Sequence, residues 1–527
     1  PENNTWTNNT EVHLAPQFIN GTTGNGSTWQ AYSGSNFNPG MYFEILVGDT
    51  LFFSARDGST GYELWAHDTS NHSTWRVADI NSGSGDSYPG QYMGLLVGDT
   101  LYFSANDGST GIELWAHDTS NHSTWQVADI NSGSGTSYPG SHMALLVGDT
   151  LYFSADDGST GNELWAHDTS NLSTWRVTDI NSGSSDSNPG RSAPAGDYMS
   201  ILVGDTLYFP ADDGTTGREL WAHDTSNHST WQVEDIYSGS SGSSPGYYMS
   251  TLVGDTLYFC AYGGTTGREL WAHDTSNHST WQVADIYSGS GSSNPSKEVL
   301  VGDTLYFQAD HGSTGIELWA HDTSNHSTWQ VADINSGGDS SPLAYMALLV
   351  GDTLYFSANN GSGRVNLWAH DISNGTTWQV TDIGGMSNFR PGVYMSILVG
   401  DTLYFSADTF SNGVELWAHD TSNHSTWQVA DINSGSSSTD SSPGSLMSIL
   451  VGDTIYLSAN DGNSGYELYA HRPSSIDYNT NTGGLVTSWA INASLPSGVS
   501  FGTNNGTIYG TPTELWTQTS YMVWANN

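Results

Sequence analysis

The sequence predicts an all-β fold: a nine-bladed β-propeller of four-stranded antiparallel blades, closed by its N- and C-terminal strands. Three observations point there. The block Leu-Val-Gly-Asp-Thr-Leu-Tyr-Phe-Ser-Ala, then Glu-Leu-Trp-Ala-His-Asp, then Ser-Thr-Trp-Gln-Val-x-Asp-Ile returns about every 50 residues. The Gly of its Val-Gly-Asp-Thr turn falls at Gly48, Gly98, Gly148, Gly204, Gly254, Gly302, Gly351, Gly400 and Gly452, nine copies in steps of 48 to 56 residues. Each copy reads as short strands joined by tight turns, and no helical period interrupts them.

The third copy shows the elements in order. Met143-Ala-Leu-Leu-Val147 is a short apolar run, Gly148-Asp149 is a two-residue turn, and Thr150 to Ala155 is rich in strand formers, which together make a hairpin. Asp157-Gly158-Ser-Thr-Gly161 is loop chemistry. Glu163 to His167 is a third strand, Asp168 to Asn171 turns again, and Thr174 to Ile180 is a fourth. The four strands, a to d, form a meander. A Gly/Ser/Pro segment follows, about a dozen residues in most copies, long enough to run from the outer edge of one sheet to the inner edge of the next.

The ends fit each other. The N-terminal region holds a leftover fourth strand, Ser27-Thr-Trp29-Gln-Ala31, while the ninth copy stops after its third strand, Glu467 to His471. Pairing of 27–32 with 466–471 would complete the last blade and leave no open edge. A linear β-solenoid is the competing architecture. Within strand c, alternation places Trp65 and His67 on one face and Leu64 and Ala66 on the other, both covered by neighbouring blades. Burial of each Trp or Tyr contributes on the order of 2 kcal/mol, so 21 Trp and 27 Tyr supply a core.

Ten Lys and Arg stand against 54 Asp and Glu, a formal charge of −44. That surface repels nucleic acid and anionic lipid; it favours cations, basic partners or simply solubility. The single cysteine, Cys260, excludes an internal disulfide framework and cysteine-bound zinc or haem, and reads as a small buried residue. No apolar run reaches the length of a membrane span, and the start at Pro1 suits a processed or excerpted chain.

Asn-x-Ser/Thr acceptors occur at Asn3, Asn8, Asn20, Asn25, Asn71, Asn121, Asn171, Asn227, Asn277, Asn325, Asn360, Asn374, Asn423, Asn492 and Asn505. Eight of them, Asn71 to Asn423 without Asn360, share one position in the c–d turn. The expectation is an extracellular or cell-surface glycoprotein with N-linked glycans ringing one face. The b–c and d–a loops, on the opposite face, differ most between copies: Ser192 to Asp197 is an insertion, Phe389-Arg390-Pro391 is aromatic and basic, and Lys297 replaces Met. Acidic loops on that face, with Asp57, Asp107, Asp156, Asp157, Asp212, Asp213 and Asp461, could hold Ca²⁺. Tight turns need the same residues, however, and the full calcium-loop pattern is absent.

Nothing in the repeat is a recognisable catalytic centre. Nine histidines, including His67 and His117, recur in every copy and read as buried hydrogen-bonding posts. Glu63 and Asp79 could be imagined as an acid–base pair, but nine similar constellations are not one asymmetric site. Glu44, Glu234 and Glu298 are non-repeated acids without an evident partner.

The string Glu113-Leu-Trp-Ala-His-Asp118-Thr-Ser, with Asp129-Ile-Asn-Ser-Gly, Pro139, Leu146 to Ala155 and Asp157-Gly, resembles the repeat family named for its Glu-Leu-Trp-x-x-Asp-Gly-Thr signature (ELWxxDGT). That resemblance covers about 450 residues and implies a secreted or surface repeat protein without assigned chemistry. One departure is that Thr-Ser stands here for Gly-Thr. Leu495-Pro-Ser-Gly498-Val-Ser-Phe501, then Gly506-Thr-Ile508-Tyr-Gly510-Thr-Pro512, resembles the immunoglobulin-like modules of prokaryotic surface proteins, which implies a partial Ig-like β-sandwich and a natural chain open to continuing past Asn527. The expected organisation is therefore 1–24 as an N-terminal extension, 25–472 as the propeller and 473–527 as the Ig-like module.

The functional expectation is a non-enzymatic propeller scaffold for adhesion, binding a surface glycan or protein. The alternative is a subunit that binds copies of itself in a surface layer or filament, with a polysaccharide hydrolase or lyase behind both. Nucleic acid is not an expected partner.

Overall fold

A computed structural model describes residues 18–19, 26–34, 36–192, 198–381, 389–409, 413–434 and 440–473, together with four strand segments beyond them. The chain divides into two compact units, Pro1–Arg472 and Pro473–Asn527.

The first unit is a nine-bladed propeller. In blade 3, strands a to d are Ala144–Val147, Thr150–Asp156, Asn162–Asp168 and Ser173–Thr178, hydrogen-bonded in that order. Blades 1 to 8 span 44–78, 94–128, 144–178, 201–234, 250–284, 296–332, 347–379 and 396–430, each one antiparallel sheet. The a–b hairpin pairs Val147 with Thr150 across Gly148-Asp149. Gly148 has φ +59° and Asp149 does not share that sign, the pattern of a type II′ turn, which explains a glycine at this place in all nine copies. Strand d carries a bulge opposite Leu164 and Trp165, which adds local twist at the outer edge.

The ring closes as the sequence predicts. Ser27–Tyr32 pairs with Tyr466–Arg472, Thr28 opposite His471 and Trp29 opposite Ala470, supplying strand d to the ninth blade. Phe18–Ile19, inside the expected N-terminal extension, adds a fifth strand to that sheet by pairing with Trp29 and Thr28. A solenoid would leave its end blades bare. Instead Phe53 and Trp65 of blade 1 share one core cluster with Tyr456, Leu468 and Ala470 of blade 9. Eight equivalent clusters fill the other blade junctions.

Side-chain alternation produces this packing. Trp65 turns to the preceding blade, whereas Leu64 and Ala66 join Leu101, Phe103 and Ala105 of the next. Glycine fits where the d–a linker passes a methionine of the preceding blade: Gly140, at φ +79°, would place a Cβ 2.5 Å from the Cβ of Met93, whereas Leu343, at φ +66°, takes the same place where Lys297 replaces that Met. Cys260 is buried in strand b, where most copies carry Ser.

The second unit is an Ig-like β-sandwich module. Its described strands pair antiparallel, Ser488–Ile491 with Val523–Asn526 and Val499–Phe501 with Ile508–Gly510.

Candidate functional site

Two buried polar devices recur and account for most of the repeated signature. The first is the strand-c glutamate, fully buried in blade 1 as Glu63. The Ile80 N–H donates to its Oε2 at 2.7 Å, the Ser87 hydroxyl to the same oxygen at 2.9 Å, and the Asn81 N–H to Oε1 at 3.3 Å. The carboxylate clamps the d–a linker to its own blade. Burial pushes Glu63, Glu113, Glu163, Glu219 and Glu415 up to about 7 and Glu467 to about 8, while these donors pull the other way. Asp79 acts on Glu63 as a nearby like charge and itself pairs with Arg76 at 3.6 Å.

The second device is the strand-c histidine. His67 Nδ1 lies 2.8 Å from Thr74 Oγ1 of strand d, and the same bond recurs in all nine blades. Each ring also packs on an aromatic of the preceding blade: His67 lies 5.3 Å from Tyr456 and His117 lies 5.6 Å from Phe52, centroid to centroid. Burial, helped by His72 or His122 of the adjoining turn, lowers both to about 4. These are neutral posts tying strand to strand and blade to blade.

Antiparallel topology puts the a–b and c–d turns on one side, the turn face, and the b–c and d–a loops on the other, the loop face. The eight repeated acceptor asparagines all lie on the turn face and are exposed there. Their local chemistry is a tight turn. Asp68 Oδ1 accepts from the Ser70 N–H and hydroxyl, Asn71 Nδ2 donates to Asp68 Oδ2 at 2.7 Å, and Asn71 Oδ1 accepts the Ser73 N–H at 2.9 Å. His72 sits at φ +61°, which explains why Gly375 stands at that place in blade 7. Asn360 lies on the loop face, where its Oδ1 accepts the Ser362 N–H at 3.1 Å. Asn3, Asn8, Asn20, Asn25, Asn492 and Asn505 fall outside the described residues.

The acidic loops on the loop face are self-capped turns. Asp57, Asp107, Asp157, Asp213 and Asp461 each accept the N–H groups two and three residues on. Asp156 and Asp212 accept the N–H of Gly158 and Gly214. Burial raises Asp57, but its four hydrogen bonds from Ser59 and Thr60 win and hold it at about 2. Among the described residues no three His, Cys, Asp or Glu side chains converge as a metal site.

The loop face also carries a rim of aromatic residues at the entrance to strand a: Tyr42, Tyr92, Tyr198, Tyr248, Tyr345 and Tyr394, with His142 in blade 3 and Leu446 in blade 9. The strand-b serine holds several of them, for the N–H groups of Tyr42, Tyr92, His142 and Tyr394 donate to the Oγ of Ser54, Ser104, Ser154 and Ser406. Tyr198 is 52 % exposed, a large ring left bare.

Between blades 2, 3 and 4 this rim encloses a cleft of about 530 Å³, walled by Gln91, Tyr92, Ser141, His142 and Tyr198. One cleft can touch three blades because their inner strands converge toward the axis. His142 is held by Ser141 Oγ at 3.1 Å from Nδ1 and faces Tyr198 at 6.0 Å. Burial, then the nearby Arg191 and Arg218, lowers it to about 4, so it is a neutral donor or acceptor at neutral pH. Seven of the ten cations, Arg56, Arg191, Arg218, Arg268, Lys297, Arg364 and Arg390, lie on this face. Of the non-repeated acids, Glu44 is pushed up to about 7 by burial, Glu298 accepts the Ser250 N–H at 3.1 Å, and Glu234 is exposed at the end of strand d.

Residues 448–527 match the family described as "Putative Ig domain". The match begins within the ninth blade, whose strands a to c occupy 448–472, and runs through the second unit. No curated protein matches the chain. Similar solved structures include a puromycin-hydrolysing peptidase of Mycobacterium tuberculosis, at 10 % identity over 74 % of this chain and 61 % of that one, TM-score 0.35. Another is one of two prolyl endopeptidases, at 12 % identity over 74 % and 55 %, TM-score 0.38. A third is oligopeptidase B of Leishmania major, at 12 % identity over 64 % and 48 %, TM-score 0.37. The chain thus spans roughly half to three-fifths of the length of these structures, and likeness this slight carries no argument about activity.

Proposed function

We propose that this chain is a non-enzymatic, exported surface glycoprotein whose propeller is a rigid scaffold for adhesion, taking a glycan or protein ligand on its loop face. The observation that carries the reading is the cleft of Gln91, Tyr92, His142 and Tyr198, where one rim position is filled by Tyr, His and Tyr in three successive blades. It combines bare aromatic faces with neutral hydrogen-bonding groups, and arginines stand close by.

Three further features support it. The ring of acceptor asparagines lies on the face opposite the cleft, so glycans there would leave the cleft open. The Glu-Leu-Trp-Ala-His-Asp repeat resembles the ELWxxDGT repeats of surface proteins, and an Ig-like module follows it. The carboxylates a hydrolase would need as a pair are spent elsewhere, Glu63 on Ile80 and Ser87.

The test is a glycan array and a surface-protein pull-down with the full chain. Saturable binding that is lost in His142→Ala and Tyr198→Ala supports the reading; silence in both assays, or binding indifferent to both variants, overturns it. Glycopeptide mass spectrometry of the Asn71 and Asn121 peptides from native material tests the glycoprotein half. The bare tyrosine rim equally favours contact with a second copy, and micrographs showing an ordered lattice or fibre would select the self-assembling reading.

A further inference from the structure

The seam of the ring holds a second pocket, and its walls are polar. It measures about 420 Å³ and lies on the loop face, where the linker from the closing strand meets blade 1. Asn36 of that linker, Arg56, Gly58 and Ser59 of the b–c loop, and Ser84 and Asp86 of the next linker line it. Asn36 donates its N–H to the Ser464 carbonyl of blade 9 at 2.9 Å, and its own carbonyl accepts Arg56 Nε at 3.1 Å, so the pocket belongs to the closed wheel.

Arg56 is an exception to the repeat. Its place is taken by Asn106, Asp156, Asp212, Asp310, Asn359 and Asn460 in blades 2, 3, 4, 6, 7 and 9, and each of these side chains accepts the N–H of the glycine two residues on, at 2.6 to 3.0 Å. Blade 5 has Tyr262 there, and blade 8 has Asp408, which Arg390 engages at 2.8 Å. In blade 1 the glycine keeps the turn, Gly58 at φ +82° against Gly108 at φ +80°, but a cation stands where the acceptor should be.

Both donors are within reach of a ligand. Gly58 is exposed, and its N–H finds no acceptor among the described residues. Arg56 is half-buried, with its guanidinium 5.2 Å from the centroid of the Tyr62 ring. Beyond Nε, its N–H groups meet no acceptor among the described residues. The same pocket holds an acceptor in Asp86, which takes the Tyr62 N–H and the Tyr88 hydroxyl at 2.8 Å each. A carboxylate has about four acceptor positions, so Asp86 keeps room for more.

The acceptor that blade 1 lacks can come only from solvent or from a ligand. An anion would meet Asp57 and Asp86 beside Arg56, in a chain of net charge −44. A cation would meet the guanidinium and the bare N–H. No large apolar side chain lines the pocket, so a lipid or the aromatic anchor of a protein finds nothing to bury against. A neutral sugar meets all three conditions, because its hydroxyls both accept and donate. We propose that the seam pocket is a binding site for a neutral saccharide unit, with Arg56 and the Gly58 N–H donating to its hydroxyl oxygens and Asp86 accepting a hydroxyl proton.

This site is separate from the cleft of blades 2 to 4, and either can fail without the other. The experiment uses the full chain carrying Tyr198→Ala, which disables that cleft. Saturation-transfer NMR follows its titration with methyl α-mannoside, methyl β-galactoside, methyl β-glucoside and N-acetylglucosamine to about 50 mM, with glucuronate and glycine as charged probes. At least one neutral sugar should saturate with a Kd of about 1 mM. Adding Arg56→Asn supplies the cap seen at Asn106 in blade 2, so the chain should melt no lower than before while its affinity for that sugar falls at least about tenfold. No transfer to any neutral sugar, an affinity that Arg56→Asn leaves unmoved, or binding of glucuronate or glycine alone would overturn the proposal.

Discussion

The two faces of the propeller are built from the same nine copies and differ in how far those copies agree. On the turn face every blade repeats a Gly-Asp turn, and eight of nine repeat the Asp-x-Ser-Asn turn; Arg472 is the single cation there, paired with Asp453 at 2.8 Å. The loop face carries seven cations, a bare aromatic rim and linkers that change length and sequence. Turn geometry fixes the first face, because each of its residues caps, donates or adopts positive φ. The second face is held from below by the glutamate clamp and the strand-b serine, which frees its outward residues to differ. Changes to the shared clamps should therefore cost stability, whereas changes to the rim should cost binding alone.

The sharpest way to break this contrast is Glu113→Ala. It removes the acceptor for the Ile130 N–H at 2.7 Å and the Ser137 hydroxyl at 2.7 Å, both beneath the surface. A loss of about 3 kcal/mol is expected in urea unfolding, with the blade 2 linker losing amide protection first; an unchanged midpoint would deny the clamp its role. On the turn face, Asn121→Ala removes the acceptor for the Ser123 N–H at 2.9 Å and should cost about 1 kcal/mol. On the loop face, Tyr198→Ala should stay within about 0.5 kcal/mol of the parent while abolishing ligand capture.

The pH profile sets the two buried devices against each other. Histidines such as His117 take a proton near 6.5 when unfolded but only near 4 when folded, so the unfolded chain binds more protons in that window and stability falls as pH drops through it. Glutamates such as Glu113 ionise near 4.5 when unfolded and near 7 when folded, so the folded chain holds more protons and stability falls as pH rises from 4.5 to 7. The slopes oppose each other between about 4.5 and 6.5. Thermal melts should show a plateau there, with loss on either side, and Glu113→Gln should shallow the alkaline limb. A profile rising steadily to pH 8 would contradict this balance.

Much of this architecture was legible because strand alternation, Gly-Asp turns and a period near 50 residues are local signals. Ring closure was legible for another reason: the surplus strand at 27–32 and the missing one after His471 are a matched pair. The glutamate clamp was not, since Ile80 and Ser87 lie 17 and 24 residues beyond Glu63, and their recurrence in each copy does not say which side chain they bond. Neither was the cleft, whose walls Tyr92, His142 and Tyr198 come from three copies and meet only where blades converge. The acceptor asparagines were ambiguous by nature, because the residues that make Asn71 a glycosylation acceptor also make it a turn cap.

Both faces depend on the wheel being shut by its own ends. In a Cys260→Ser background, cysteines placed by Ser27→Cys and Arg472→Cys sit on directly paired residues, within reach of disulfide geometry. Mild oxidation followed by peptide mapping should recover one intramolecular link between positions 27 and 472 in nearly every molecule. Free thiols, or links only between separate chains, would contradict the closed ring.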